Sequence, residues 1–265
     1  MSKLITSRCL RKLLLLNLIV LSFSFAKGQN TKTPLYKANV IIRNEKNAAN
    51  YAFFYIKLSR DFISYDTACN IISQGDFLKT LAGGGYLPLK LKSDDSLDYY
   101  QLYKLNTGID SVYFKLFKRV GEEYYDKYKR EGEVFPQFNY VDLNGNIYTN
   151  ENTKGKIIVF NCWFVACSNC RYEMPRLNKL VQQYKNRNDI IFIGLDNDLK
   201  FNAVNFLKTN SFNFSIVPLP EDYFSSYLKI NEYPTTMIVN KKGIITKVVN
   251  DADDLERELR KEATE

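Results

Sequence analysis

An apolar run that ends in two closely spaced cysteines limits this chain more than any other feature. Residues 156–175 read Lys-Ile-Ile-Val-Phe-Asn-Cys-Trp-Phe-Val-Ala-Cys-Ser-Asn-Cys-Arg-Tyr-Glu-Met-Pro. Ile157 to Phe160 has the β-branched, uninterrupted character of a buried strand. Cys167 and Cys170 follow, and the segment from them through Tyr184 reads as a helix. Positions i and i+3 share a helix face, so the two thiols come within reach of each other, with Cys167 at the helix N-terminus. Unpaired backbone N–H groups and the helix dipole favour a thiolate there. The spacing points to redox chemistry, and leaves a structural disulfide and a metal site as competing readings. A disulfide across three residues closes a very small loop and adds little stability. A zinc site needs two more ligands, and the chain has no histidine, so they would have to be Cys69 and Cys162 or carboxylates.

The absence of histidine also excludes Ser-His and Cys-His catalytic pairs. With 265 residues, 45% hydrophobic and 25% charged, the chain has globular composition and room for one large or two small domains. Its net charge of +8 is mostly local. Residues 1–28 hold Lys3, Arg8, Arg11, Lys12 and Lys27 and no acid, and without those five cations +3 remains. So small a charge gives no case for a nucleic-acid partner. Those residues read as a signal peptide: a basic start, an apolar core from Leu13 to Phe25 interrupted by Asn17, and small residues around Ala26-Lys27-Gly28. A retained anchor is the alternative, although the core is shorter than the ~20 residues of a spanning helix. Cys9 precedes the core and is badly placed for lipid modification. The expected location is therefore periplasmic or elsewhere in the cell envelope, where disulfides persist unless something reduces them.

Residues 29–131 form a separate, partly helical domain of unknown role in this reading. Asn39 to Arg43 and Tyr51 to Leu58 read as short strands. Ile109, Val112, Leu116, Val120, Tyr124 and Tyr128 recur at helical spacing, which predicts an amphipathic helix over Asp110 to Arg130. Gly83-Gly84-Gly85 reads as a loop rather than a phosphate cradle, since no Lys-Ser/Thr follows. Cys69 reads as a small buried hydrophobe. The charged stretch Asp126 to Glu133 marks the boundary, and residues 132–265 form the second domain.

Strands and helices alternate in that second domain in the manner of an α/β unit with a mixed central sheet flanked by helices. Phe138 to Leu143 and Ile147 to Thr149 flank Asn144-Gly145, a hairpin signal with positive φ expected at both central residues. Ile190 to Leu195 and Phe212 to Val217 read as strands around a helix from Leu199 to Thr209, and a helical turn spans Tyr223 to Lys229. Met237 to Asn240 and Ile244 to Val249 form a hairpin through Lys241-Lys242-Gly243, and Ala252 to Lys261 closes the chain as a helix.

Phe135 to Gly145, Lys154 to Asn161, Trp163, Cys167-Ser-Asn-Cys170, Glu173-Met-Pro175 and Tyr233-Pro234-Thr235-Thr236 together resemble the TlpA/ResA branch of the thioredoxin superfamily, over about residues 132–250. The resemblance implies a thioredoxin-like fold with an extra element between the central strands. It also implies thiol–disulfide exchange with disulfide-containing envelope proteins, supplied by a membrane thiol electron donor, with no cofactor beyond the Cys167–Cys170 pair and no metal. In it Cys167 attacks, Cys170 resolves, and Glu173 accepts the proton of Cys170. Pro234 is cis, Tyr233 and Pro234 lie along the substrate path, and Trp163 packs beside it, either as a substrate contact or in a purely structural role. Ala166 and Asn169 depart from the family's usual aromatic and proline, which leaves the redox potential open. Asn161 stands where thioredoxins proper carry a buried aspartate, and Cys162 reads as core. Pro175 reads as a helix kink. The expected direction is reduction, with an oxidant or isomerase as one alternative and a partner-binding module on the same scaffold as another. A peroxide-reducing enzyme would carry Pro and Thr/Ser just upstream of its cysteine, and this chain does not.

Overall fold

The computed structural model describes residues 32–106, 108 and 111–264. The signal-peptide segment lies outside the described residues, as do Ile109 and Asp110. Among the described residues, no helix is long and apolar enough to cross a membrane.

The N-terminal region is an α/β unit with its own sheet and core. In order it contains α1 (Ala38–Ile41), α2 (Glu45–Tyr55), β1 (Phe62–Tyr65), β2 (Ile71–Ile72), α3 (Gln74–Ala82), β3 (Tyr86–Lys90), β4 (Asp98–Lys104) and α4 (Ser111–Arg130). Its sheet runs β2-β1-β4-β3, with β1 and β4 parallel and both outer pairings antiparallel. The two segments read as strands, Asn39 to Arg43 and Tyr51 to Leu58, are largely helical instead. Asn44 caps α2 by accepting the Asn47 N–H at 2.8 Å, and Ala48, Tyr51, Ala52 and Tyr55 then fall on one face against the core. Cap and helical periodicity together outweigh aromatic strand propensity there. Helix α4 forms as its periodicity predicts. It crosses the end of α3 at Gly121, where a Cβ would lie 2.5 Å from the Ala82 nitrogen, so only glycine permits that approach. The triple glycine is a turn leading from α3 into β3, with positive φ at Gly84 and Gly85. Pro88 is tolerated in β3 because that strand is at the sheet edge.

The C-terminal half contains β5 (Asn139–Val141), β6 (Ile147–Thr149), β7 (Ile157–Trp163), α5 (Ser168–Gln183), β8 (Ile190–Asp196), α6 (Lys200–Leu207), β9 (Ser215–Pro218), a single wide turn at Tyr223–Tyr227, β10 (Thr235–Val239), β11 (Ile245–Val249) and α7 (Ala252–Glu262). Its five-stranded sheet runs β11-β10-β7-β8-β9, with β7, β8 and β9 parallel and β10 and β11 antiparallel to their neighbours. This is the thioredoxin-like arrangement, with the segment from α6 through the Tyr223 turn inserted between β8 and β10. Period-2 alternation along β7 divides the core in two. Ile157, Val159 and Trp163 face α5 and α7, while Ile158, Phe160 and Cys162 face Phe135, Tyr140, Phe224 and Leu228. Pro175 lies inside α5, which runs on through it.

The charged stretch from Asp126 is not a linker. It is the last turn of α4, and the chain enters the second sheet at once, with Gly132 N–H donating to Ile245 O at 2.8 Å and Ile245 N–H to Glu133 O at 2.8 Å.

Three turns share one construction. In Asp142–Asn146 the aspartate accepts N–H groups from Asn144 and Asn146, the Gly145 N–H returns to Asp142 O, and Gly145 has φ +85°. Asn144 does not share that positive φ. The hairpin is therefore a turn followed by a left-handed residue, the longer of the common hairpin solutions. Asn240–Ile244 repeats it with Gly243 at φ +78°. Asp66–Asn70 repeats it again, but the left-handed position is Cys69, with φ +64°. Cys69 is thus half-exposed in a turn, not the buried hydrophobe expected from its type. A side chain in that conformation costs about 1 kcal/mol or more. Cys69→Gly is expected to stabilise the protein by about half to 1 kcal/mol, seen as a higher urea midpoint at unchanged slope.

Candidate redox site

Cys167 is the N-cap of α5, and its sulfur accepts the Cys170 N–H at 3.1 Å. A sulfur in the place usually taken by a serine or aspartate oxygen meets the unpaired donors of the first turn, the environment that stabilises a thiolate. The structure joins Cys167 and Cys170 in a disulfide, with Cα atoms 5.3 Å apart. Cys167 is 6% exposed and Cys170 2%. An open depression of about 440 Å³ is formed by Phe164, Ala166, Cys167, Ser168, Asn169 and Tyr233. Of the pair, it is Cys167 that borders this depression.

Tyr233 comes from the loop opposite and precedes Pro234 across a cis peptide bond. Its ring meets Phe164 edge-on at 5.2 Å, and its hydroxyl accepts from Asn197 Nδ2 at 2.9 Å. Trp163 does not belong to this surface. It is fully buried, with its ring against Phe206 and Phe212, because strand alternation turns it into the core under α5. Of the two roles open to it, substrate contact and packing beside the cysteines, its burial in one cluster with Cys167 and Cys170 favours packing. Cys162 is buried on the opposite face, where burial pushes its thiol up to about 12 despite the nearby Arg130 charge. Asn161 is buried and donates to Thr236 Oγ1 at 2.8 Å, tying β7 to β10.

Glu173 lies one turn beyond Cys170 on α5 and is half-buried. Burial first, and then the charge of Asp251, push its carboxyl up to about 7, while the Ala252 N–H and the Lys57 and Arg176 cations pull the other way. A carboxyl poised near neutrality is suited to passing a proton in either direction.

Sequence reading overlooked the segment Asp196-Asn197-Asp198 at the end of β8, which ties the loops of the site together. Asn197 N–H donates to Trp163 O at 3.0 Å, and Asn197 Nδ2 holds Tyr233. Asp198 Oδ2 accepts the Val165 N–H at 2.5 Å, two residues before Cys167. Asp196 is fully buried, and its Oδ2 and the Trp163 Nε1 find no partner among the described residues. Burial, reinforced by Asp198, pushes the Asp196 carboxyl up to about 8. The available signal was a polar Asp-x-Asp directly after an uninterrupted apolar strand, where strand ends carry sites in open α/β sheets.

Known proteins match this half of the chain. The family model described as AhpC/TSA family matches residues 132–248. A thiol-disulfide oxidoreductase ResA of Bacillus cereus is 30% identical over 141 residues, covering 51% of this chain and 81% of that protein. ResA of Geobacillus kaustophilus is 27% identical over 131 residues, covering 48% and 75%. Among solved structures, the thioredoxin domain of a thiol-disulfide oxidoreductase from Bacteroides vulgatus is 27% identical with a TM-score of 0.45, covering 49% of this chain and 96% of that one.

Proposed function

Because the chain belongs to the ResA family of thioredoxin-like thiol–disulfide oxidoreductases, we propose that it is an exported reductant of disulfides in envelope proteins, working through Cys167 and Cys170. The observation that carries this reading is the asymmetry of the pair: Cys167 caps α5 and lines the surface depression, and Cys170 sits bonded to it beneath. With the pair reduced, the Cys167 thiolate attacks one sulfur of a substrate disulfide, forms a mixed disulfide and expels the other sulfur as a thiolate. Glu173 takes the proton of Cys170, whose sulfur then attacks Cys167 and releases the second substrate thiolate. Two electrons pass to the substrate and the Cys167–Cys170 disulfide forms. A membrane dithiol carrier returns the pair to its reduced state, and no cofactor or metal enters the cycle. Tyr233 and Pro234 border the path along which the substrate chain lies. Export rests on the basic and apolar pattern of residues 1–28.

The test is the full chain carrying Cys170→Ala, mixed with a disulfide-bonded exported protein. Covalent adducts through Cys167 are expected, released by dithiothreitol. Non-covalent capture without adducts would mean a binding module instead, and rapid consumption of hydrogen peroxide by the parent would mean a peroxidase. Direction follows from the potential of the pair, expected near about −270 mV, whereas a value near about −120 mV would make it an oxidant.

A further inference from the structure

The N-terminal domain is bound to α7 by charge. Arg60 Nε and Ser59 Oγ both donate to Asp254, which is fully buried, and Lys57 Nζ pairs with Asp251 Oδ2 at 2.9 Å. Further along the helix, Lys261 reaches Asp61 at 2.7 Å and Arg257 donates to Ser96 O at 2.8 Å. The first contacts converge on the N-terminal turn of α7. There Asp251 is the N-cap, accepting the Asp254 N–H at 2.8 Å. Glu173 comes to the same turn from α5, one helical turn before Arg176, whose guanidinium pairs with Asp253 of α7. Lys57 and Glu173 therefore come to Asp251 from different domains.

Lys57 is held firmly at this point. Its backbone N–H donates to the buried Tyr100 hydroxyl at 3.0 Å, and the Tyr124 hydroxyl donates to Ile56 O at 3.2 Å. The charged groups around Glu173 are Asp251 at the start of α7, Lys57 from the N-terminal domain, and Arg176 on its own helix. The Arg176 guanidinium is itself engaged by Asp253 and Glu256 of α7. Lys57 is thus the cation paired directly with Asp251, while the nearby Arg60 is held by Asp254.

We propose that Lys57 is a positioning residue for the resolving half-reaction: by pairing with Asp251 beside Glu173, it makes docking of the N-terminal domain set the pH at which Cys170 is activated. This rests on the reading of Glu173 as the proton acceptor of Cys170. Without Lys57, the carboxyl of Glu173 faces an Asp251 carboxylate that has lost its paired cation, and its ionised form becomes less favourable. Without the Asp251 charge, Lys57 acts on Glu173 unopposed and the ionised form becomes more favourable. Asparagine at 251 removes that charge while keeping a good N-cap.

The experiment uses reduced full-length protein and stoichiometric Ellman's reagent. The second thionitrobenzoate released reports the attack of Cys170 on the Cys167 adduct, and its rate is followed from pH 5 to 9. Lys57→Met is expected to raise the midpoint of this profile by roughly half a unit to one unit, a three- to tenfold slower resolution below the midpoint. Lys57→Arg restores it, and Asp251→Asn moves it down. Loosened packing alone would not shift the two variants in opposite directions. A midpoint that disappears in Glu173→Gln but stays put in both Lys57→Met and Asp251→Asn overturns the proposal alone. A midpoint that persists in Glu173→Gln overturns the reading of Glu173 beneath it.

Discussion

Cys167→Ser is expected to lower the reduction of insulin disulfides to the rate of the assay's own reductant, with no adduct formed on the protein. The expectation follows from which sulfur can be reached. Cys167 lines the depression beside Tyr233, and its sulfur sits among the free donors of the first turn of α5. A serine hydroxyl there keeps the hydrogen bond to the Cys170 N–H but is not ionised at neutral pH, so no nucleophile faces the substrate. Cys170 cannot substitute for it, because its sulfur is buried beneath the first and does not line the depression. The two cysteines are therefore unequal under substitution, the first required for any adduct and the second for its release. Turnover by Cys167→Ser well above the reductant-only rate would mean that the attacking group has been misassigned.

What made the C-terminal half readable was local chemistry. The apolar run of β7, the Cys167–Cys170 spacing and the glycines at 145 and 243 each constrain the backbone within a few residues, whatever lies further away. Even there, the sequence left the face of a side chain open between two roles. Trp163 sits next to the redox loop in sequence, yet alternation along β7 sends it into the core with Phe206 and Phe212. The N-terminal half was opaque for a different reason. Aromatic residues serve strands and helix faces equally well, so Tyr51 and Tyr55 read as strand until the cap at Asn44 and the packing of α2 are known. The alternation in β4, which buries Asp98, Tyr100 and Leu102, was present but short. Asp254 and Glu258 look like the solvated side of an amphipathic α7, and both are buried, because Ser59 and Arg60 on one side and Lys261 on the other supply partners that no local pattern announces.

Asp196→Asn is expected to change the pH dependence of stability more than any other single substitution near the site. The ordinary carboxyl value of 3.8 describes Asp196 in the unfolded chain, and in the fold burial and Asp198 push it up to about 8. The folded protein then binds a proton at this position that the unfolded chain has lost. Stability contributed by the neutral acid is intact below about pH 4, declines as pH rises toward 8, and levels off above it. A displacement from 3.8 to about 8 sets an upper bound of roughly 6 kcal/mol for the loss. Asparagine resembles the protonated acid in shape and never ionises. It also offers Asp198 an amide donor in place of a second carboxylate, which preserves the hold of Asp198 on the Val165 N–H. The variant is therefore expected to match the parent near pH 4 and to exceed it by a few kcal/mol at pH 8. Urea unfolding of the oxidised proteins at intervals between those limits measures the difference. Glu173, also displaced upward, titrates in both proteins and cancels when one curve is subtracted from the other. Parallel curves across the whole range would mean that Asp196 is ionised in the fold at neutral pH, and the Val165 loop would then rest on two adjacent negative charges rather than on one.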